Sequence, residues 1–334
     1  MKIGLIGCGL IGSKRAAAVC APHQIVGVCD IQIARAESLA KRYNAAEAYV
    51  TDNYQDLILN SGADLVIIAA VIKWLAPITL FAVQHGKHVI VEKPAGMTPE
   101  ELEPILQAAK EKHLVVKVGF NHRYHPALLK AKELIENEQE KIGPVMFIRG
   151  RYGHGGRVGY DREWRANPEL SGGGELIDQG VHLIDLSRWF MGELFLASGF
   201  AETYFWDMKV DDNAFIALRK EDGRMAWLQV SCTEWKNMFS FEIYCKHAKL
   251  MVDGLGGSYG TERLSYYQML PEMGPPETVI YEFPRGDRSW ELEFQEVVTA
   301  IENHLPLTMG DISDAYAALQ IVEKVYKNCE REKR

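Results

Sequence analysis

No stretch of this chain is basic enough to neutralise a run of phosphates: 37 Lys and Arg are outweighed by 45 Asp and Glu, for a formal net charge of −8. That balance argues against a nucleic-acid partner. Nor does any apolar run reach the roughly 18 residues that a membrane span requires. Six cysteines (Cys8, Cys20, Cys29, Cys232, Cys245 and Cys329) are scattered without a CxxC pair. Their spacing speaks against a disulfide framework or a structural zinc site and fits a reduced compartment. Met1 runs straight into the strand-like Lys2–Ile6, leaving no room for a charged and then apolar leader, so cytoplasmic residence is the expectation. Internal repeats and low-complexity linkers are also lacking.

What is present is apolar material for two cores. The 334 residues, 47% hydrophobic and 25% charged, exceed the usual length of one domain. The first 120 alternate short apolar runs with amphipathic stretches, the rhythm of strand, crossover helix and parallel strand. Strands are predicted near 2–6, 25–30, 64–69, 88–92 and 115–118, with helices near 11–20, 31–42, 75–85 and 99–112. Thr98-Pro99-Glu100-Glu101 reads as the start of the last helix: a capping hydroxyl, proline at the first position, then carboxylates at the positive end of the dipole. Beyond residue 122 the rhythm changes to a helix near 126–137, a strand near 145–152, a Gly/Arg-rich loop, a helix near 174–191, several strands, and helices near 289–303 and 312–329. Asp222-Gly223 between Ala214–Arg219 and Arg224–Val230 signals a hairpin. These patterns predict an α/β Rossmann domain, a doubly wound parallel sheet over residues 1–122. An α+β domain follows over 123–334, its last helix a candidate to pack back on the first.

Gly7-Cys8-Gly9-Leu10-Ile11-Gly12 falls where the first strand should end and the first helix begin. In a dinucleotide fingerprint the first glycine allows the tight turn, the second admits a pyrophosphate, and the third lets helix and strand pack closely. The amides at the helix start then bind the anion. Asp30, 18 residues beyond Gly12 at the end of the second strand, is placed to accept hydrogen bonds from the adenine ribose and to repel a 2′-phosphate. NAD is therefore favoured over NADP, although Arg35, a helical turn further on, could pair with such a phosphate. Leu10, Ile11 and Ile31 belong to the same candidate surface. A glycine-rich turn without a cofactor is the plain alternative.

Glu92-Lys93-Pro94 ends the strand 88–92, at the same sheet edge as the glycine loop. Gly172-Gly173-Gly174 precedes a helix that carries Asp178, His182 and Asp185 at spacings of four and three, which share one face. An imidazole flanked by carboxylates a turn away on either side is oriented and supported in its protonated form. Each feature alone also fits a surface lysine or a local polar pair. A metal on Asp178, His182 and Asp185 is disfavoured, because the set lacks cysteine or paired histidines and is not HExxH.

With these motifs in order, the chain resembles the glucose-fructose oxidoreductase, inositol dehydrogenase and rhizopine-catabolism group (Gfo/Idh/MocA). The resemblance covers nearly the whole chain and rests on Gly7-x-Gly9-x-x-Gly12, Glu92-Lys93-Pro94, Gly119-Phe120-Asn121-His122-Arg123-Tyr124 with Pro126, and Gly172-Gly173-Gly174-x-x-x-Asp178-x-Gly180-x-His182-x-x-Asp185. It implies that Lys93, Asp178 and His182 are the catalytic lysine, aspartate and histidine. It also implies a second domain with a large open, mainly antiparallel sheet that mediates a homodimer or homotetramer, and a cis bond before Pro94. The stretch Ala70–Pro77 departs from the family pattern, which leaves Ala70 and Trp74 as candidate contacts to the cofactor.

The activity so implied is hydride transfer between NAD(H) and a secondary alcohol of a sugar-like substrate: a sugar, cyclitol, sugar phosphate, uronate or nucleotide sugar. Between residues 149 and 165 lie Arg149, Arg151, Arg157, Arg162 and Arg165, with Tyr152, His154, Tyr160 and Trp164 among them. Guanidinium forks suit phosphate or carboxylate, and aromatic faces suit rings, which tilts the expectation toward an anionic sugar. The plain alternative pairs these arginines with the acidic surface. Candidate substrate-binding residues are Asn121, Arg123, Tyr152, Arg157, Trp164, Arg165, Asp178 and His182. Two other readings remain: an enzyme of this fold that retains NAD for redox-assisted elimination or hydrolysis, and a non-catalytic NAD-binding regulator.

Overall fold

Runs such as Leu65-Val66-Ile67-Ile68, buried at every position, can sit only in a sheet covered on both faces. The computed structural model, which describes every residue except Asn44, Ala46, Lys333 and Arg334, builds such a sheet from the first part of the chain. Its elements are β1 (Lys2–Ile6), α1 (Leu10–Ala18), β2 (Gln24–Cys29), α2 (Ile33–Arg42), β3 (Tyr49–Thr51), α3 (Tyr54–Asn60), β4 (Leu65–Ile68), α4 (Ile72–Gln84), β5 (His88–Val91), α5 (Glu103–Glu111) and β6 (Val116–Val118). The strands pair in parallel in the order β3-β2-β1-β4-β5-β6. Their order reverses between β1 and β4, and in such a sheet the crevice for a ligand opens beyond the carboxyl ends of those two strands.

Met1–Phe120 form one unit together with Trp290–Leu319. The returning segment brings Phe294, Val297 and Val298 into the core made by Ile3, Leu5, Val28 and Ile67. It also completes a buried ion network. Arg15 of α1 donates through Nε to Glu92 (2.7 Å) and through Nη1 to Glu293 (2.5 Å), and Lys117 of β6 lies 3.6 Å from Glu296 and 3.9 Å from Glu293. Burial raises the Glu92 carboxyl against the opposing pull of Arg15. Loss of one partner from such a network typically costs about 3–5 kcal/mol, because an uncompensated charge stays behind.

The second unit, Asn121–Ser289 with Gln320–Arg334, begins with a 3₁₀ turn at Asn121–Tyr124 and continues through α6 (Pro126–Asn137), α7 (Gln139–Ile142), β7 (Val145–Gly153) and α8 (Pro168–Ser171). A π-helical turn at Leu176–Gly180 then leads into α9 (Val181–Met191). Strands β8 (Phe195–Glu202), β9 (Asn213–Arg219), β10 (Met225–Ser231), β11 (Met238–Cys245), β12 (Ala248–Asp253), β13 (Glu262–Gln268) and β14 (Glu277–Phe283) complete an eight-stranded sheet. Its order is β14-β13-β12-β11-β7-β10-β9-β8, antiparallel throughout except for the β7–β10 pair. The Asp222-Gly223 hairpin joins β9 to β10 as expected. Two helices, α10 (Ser289–Glu302) and α11 (Ile312–Glu332), end the chain.

Several expected boundaries move. The three-residue β3 and the following α3, capped by Asn53, carry too little periodic pattern to stand out in the sequence. Helix α4 starts at Ile72 and accommodates Pro77 internally. Helix α5 starts at Glu103, with Pro104 in its first turn. Residues 98–102 form a turn instead, since Glu101 accepts from the Met97 amide (2.8 Å) and the Leu102 amide bonds Pro99 (3.0 Å).

The glycine loop makes a sharp test of this packing. A Cβ on Gly12 would overlap the carbonyl oxygen of Gly7, whereas one on Gly9 would meet nothing within 4 Å. Gly12→Ala should therefore lower the denaturant midpoint by the equivalent of about 1–3 kcal/mol, while Gly9→Ala should stay within about 0.5 kcal/mol of the parent. Equal midpoints for the two variants would contradict the geometry.

Candidate active site

In the first unit, the candidate cofactor site is the crevice beyond β1 and β4. Gly7 turns the chain at φ +92°, and a side chain there would collide with the Ala69 carbonyl at the end of β4. Asp30 holds the turn from the neighbouring strand: its Oδ2 accepts from the Cys8 amide (2.8 Å) and its Oδ1 from the Gln32 amide (2.9 Å). Burial, with Asp30 close by, pushes the Cys8 thiol up to about 12. Gly9, in the extended conformation, is the N-cap of α1, so the first amides of that helix have no intrahelical acceptor. The empty space over Gly9 is the approach that a pyrophosphate needs, and the donor set fits NAD. At the start of α1 and just past β2, Leu10 and Ile31 are 77% and 88% exposed. Arg35 is exposed on α2, Ala70 lies between β4 and α4, and Trp74 is half-exposed on α4. The Lys93–Pro94 bond is cis. Glu92, expected near the cofactor, spends its carboxylate on Arg15.

In the second unit, the candidate catalytic residues are grouped around α9. Gly174 can be nothing larger, because a Cβ would overlap the Asp211 backbone, and one on Gly173 would overlap the Tyr326 hydroxyl. The Asp211 carboxylate then receives the Gly174 amide (2.9 Å), the Leu176 amide (2.8 Å) and the Tyr326 hydroxyl (2.8 Å). Burial nevertheless pushes Asp211 up to about 6. This carboxylate, invisible as a partner in the sequence, fixes where the helix starts and therefore where Asp178 and His182 point.

Asp178 and His182 are both buried. Asp178 Oδ2 accepts from Arg165 Nε (3.0 Å). Burial would depress the Arg165 guanidinium, but Asp178 holds its charge more firmly than usual. His182 stacks on His122, with ring centroids 3.7 Å apart, and Tyr152 stands edge-on to both at 6.2 and 5.2 Å. Asp185, expected beside the imidazole, has a guanidinium partner that the spacing did not show. It accepts from Nη2 and Nε of buried Arg123 at 2.5 and 2.8 Å. The π-helical turn carrying Asp178 also breaks the simple α-helical spacing to His182, and such turns recur at functional sites.

Neighbouring groups extend the cluster. The Tyr160 hydroxyl donates to Glu175 (2.7 Å), and His154 Nε2 lies 3.4 Å from the same oxygen. Burial works against a charged His154, but its hydrogen bond with Glu175 prevails and raises it. Tyr152 is held far above its ordinary range by burial, with Tyr259 beside it. His122, Glu175, Asp211 and Tyr259 were missed as site residues; only His122, inside the Asn121–Tyr124 motif, carried any sequence signal. The arginines between 149 and 165 prove to be ion-paired: Arg149 with Glu242 (2.7 Å), Arg151 with Glu234 (3.6 Å), Arg157 with Glu163 (2.7 Å), Arg162 with Asp161 (4.0 Å) and Arg165 with Asp178. Trp164 is covered by the Arg165 guanidinium at 4.6 Å, and Asn121 donates to Ser289 (2.9 Å). No group of metal-ligating side chains occurs among the described residues, and no described helix is long and apolar enough to cross a membrane.

Comparison with known proteins agrees with this geometry. Residues 1–120 match the family described as "Oxidoreductase family, NAD-binding Rossmann fold", and residues 128–251 match the "GFO/IDH/MocA C-terminal domain". The D-glucoside 3-dehydrogenase of Escherichia coli K12 is 24% identical over 99% of this chain and 95% of its own. The levoglucosan dehydrogenase of Pseudarthrobacter phenanthrenivorans is 30% identical over 61% of this chain and 54% of its own. Among solved structures, levoglucosan dehydrogenase in complex with NADH superposes with a TM-score of 0.87 at 22% identity, covering 99% of this chain and 97% of that one. UDP-N-acetylglucosamine 3-dehydrogenase of Acidithiobacillus ferrooxidans gives 0.79 at 21% identity, covering 97% and 96%. The cofactor loop, the lysine turn and the tri-glycine helix thus have a common explanation: the chain belongs to the GFO/IDH/MocA family of oxidoreductases and carries an NAD-binding Rossmann fold.

Proposed function

We propose that this oxidoreductase reversibly oxidises a secondary alcohol of a neutral sugar, cyclitol or glycoside. The observation that carries the reading is the buried pair Asp178 and His182 on one helix, in a chain whose other unit has an NAD-binding fold. Related proteins named for glucoside, inositol and levoglucosan oxidation support the substrate class. The ion-paired arginines favour a neutral substrate over the anionic one that their number suggested, since a guanidinium already neutralised gains little from a phosphate. The first unit serves the cofactor, and the second serves the substrate and self-association.

Bound NAD supplies the hydride acceptor. His182 takes the hydroxyl proton as the carbon is oxidised, acting as general base. Lys93 donates to the alcohol oxygen while negative charge develops there. Asp178, held by Arg165, orients the imidazole or a neighbouring substrate hydroxyl, and Tyr152 closes one side of the imidazole against water.

His182→Ala should lower kcat by about 10²–10⁴-fold and leave NADH affinity, read by nucleotide fluorescence, unchanged. Retained turnover on a panel of glucosides, inositols and anhydrosugars would remove His182 from the mechanism. NADH should bind more tightly than NADPH, and Asp30→Ala should narrow that gap; an Asp30 variant with unaltered preference would place the discrimination elsewhere. We further propose a cytoplasmic homodimer or homotetramer formed through the open sheet face, where Phe147, Trp227 and Phe200 are exposed. Trp227→Glu should shift the light-scattering mass toward the monomer, and an unchanged mass would exclude that face.

A further inference from the structure

The imidazole of His122 lies almost flat on that of His182, with centroids 3.7 Å apart and planes 24° from parallel. Both rings are nearly inaccessible, at 5% and 3% exposure. In this geometry a charge on either ring acts directly on the other. Which ring can carry a proton therefore matters, and the hydrogen bonds of His122 decide it.

Those bonds form a chain with one possible direction. Asp287 accepts the Ser289 hydroxyl at 2.6 Å. The Ser289 oxygen, its hydrogen spent, accepts from Asn121 Nδ2 at 2.9 Å. Asn121 therefore turns Oδ1 toward His122 Nδ1, 3.2 Å away. An amide oxygen can only accept, so Nδ1 of His122 carries a hydrogen. Each donor in the series leans toward the Asp287 carboxylate, and such chains polarise cooperatively. The ring is also clamped laterally, with the edges of Tyr152, His125 and Phe239 at 5.2, 5.7 and 6.0 Å.

We propose that His122 is a positioning residue for His182: its neutral ring, fixed as the Nδ1–H tautomer by Asn121, Ser289 and Asp287, is the flat surface that sets the plane of the His182 imidazole as that ring takes up the substrate proton. The proposal rests on His182 being the general base. A ring polarised toward a carboxylate presents an electron-rich face, which favours a cation stacked on it in the manner of a cation–π contact. Fixing the plane also aims the His182 nitrogen, and misplacement of about 1 Å at such a group can cost ~10²-fold.

The tautomer can be read on the unmodified protein. With ¹⁵N-labelled histidine, long-range ¹H–¹⁵N spectra should show His122 neutral at pH 7 with its hydrogen on Nδ1; a hydrogen on Nε2 alone, or a charged ring, overturns the proposal. Kinetics on the best substrate of the sugar panel supply the second arm. His122→Ala should lower kcat by about 10–100-fold, with KM and NADH affinity close to the parent, and His122→Phe, which restores a flat ring, should recover kcat to within about fivefold of the parent. A kcat for His122→Ala within twofold of the parent, or a loss that Phe does not relieve in a folded variant, overturns it. If His182→Ala itself retains full turnover, the general-base reading fails instead, and the spectra still report on the His122 tautomer.

Discussion

Backbone packed directly on backbone is the constraint on which the glycine loop of one unit and the Asp178–His182 segment of the other both depend. Gly7 and Gly12 bring the start of α1 against the ends of β1 and β4, and Gly174 brings the start of the π-helical turn against Asp211. Any Cβ at these points would occupy space already filled by a main-chain atom. Two helices are thereby started at fixed points. One presents unbonded amides to an open crevice, and the other presents Asp178 and His182 on successive turns. The proposed chemistry would depend on these contacts, because an acid–base group is useful only when held to within a fraction of an ångström.

Buried charge supplies the second level of fixation. Arg15, Glu92 and Glu293 tie the glycine-loop helix to the lysine turn and the returning helix α10, so the segment before Lys93 and the segment after Gly12 share one guanidinium. Arg123 and Asp185 do the same for the 3₁₀ turn and α9. Such pairs add little net stability against a well-packed apolar core, but breaking one is costly, which makes them suited to fixing register. The glycine-loop helix and α9 are therefore each held by a buried ion pair.

What could be read from the sequence was whatever is local. The fingerprint glycines, the Asp222-Gly223 hairpin, the parallel strands and the tri-glycine helix all announce themselves within a few residues, because turn chemistry and periodicity act at that range. The edge strand β3 and helix α3 were missed, being three and seven residues long. Contacts across the chain were equally illegible: Asp211 lies 37 residues from Gly174 and Glu293 lies 278 from Arg15. The arginines after residue 148 are a further case, since Glu242 and Glu234, the carboxylates beside Arg149 and Arg151, lie more than 80 residues along the chain. Helical spacing likewise placed Asp185 one turn from His182 but gave no sign of the Arg123 guanidinium that binds it.

A crystal structure of the ternary complex with NADH and a bound neutral sugar would decide whether Lys93 and His182 serve one reacting oxygen, as proposed. The proposed mechanism places the Lys93 ammonium and a His182 ring nitrogen within about 2.6–3.2 Å of the same substrate hydroxyl. A sugar bound productively beside the nicotinamide with either group beyond reach of that oxygen would contradict it.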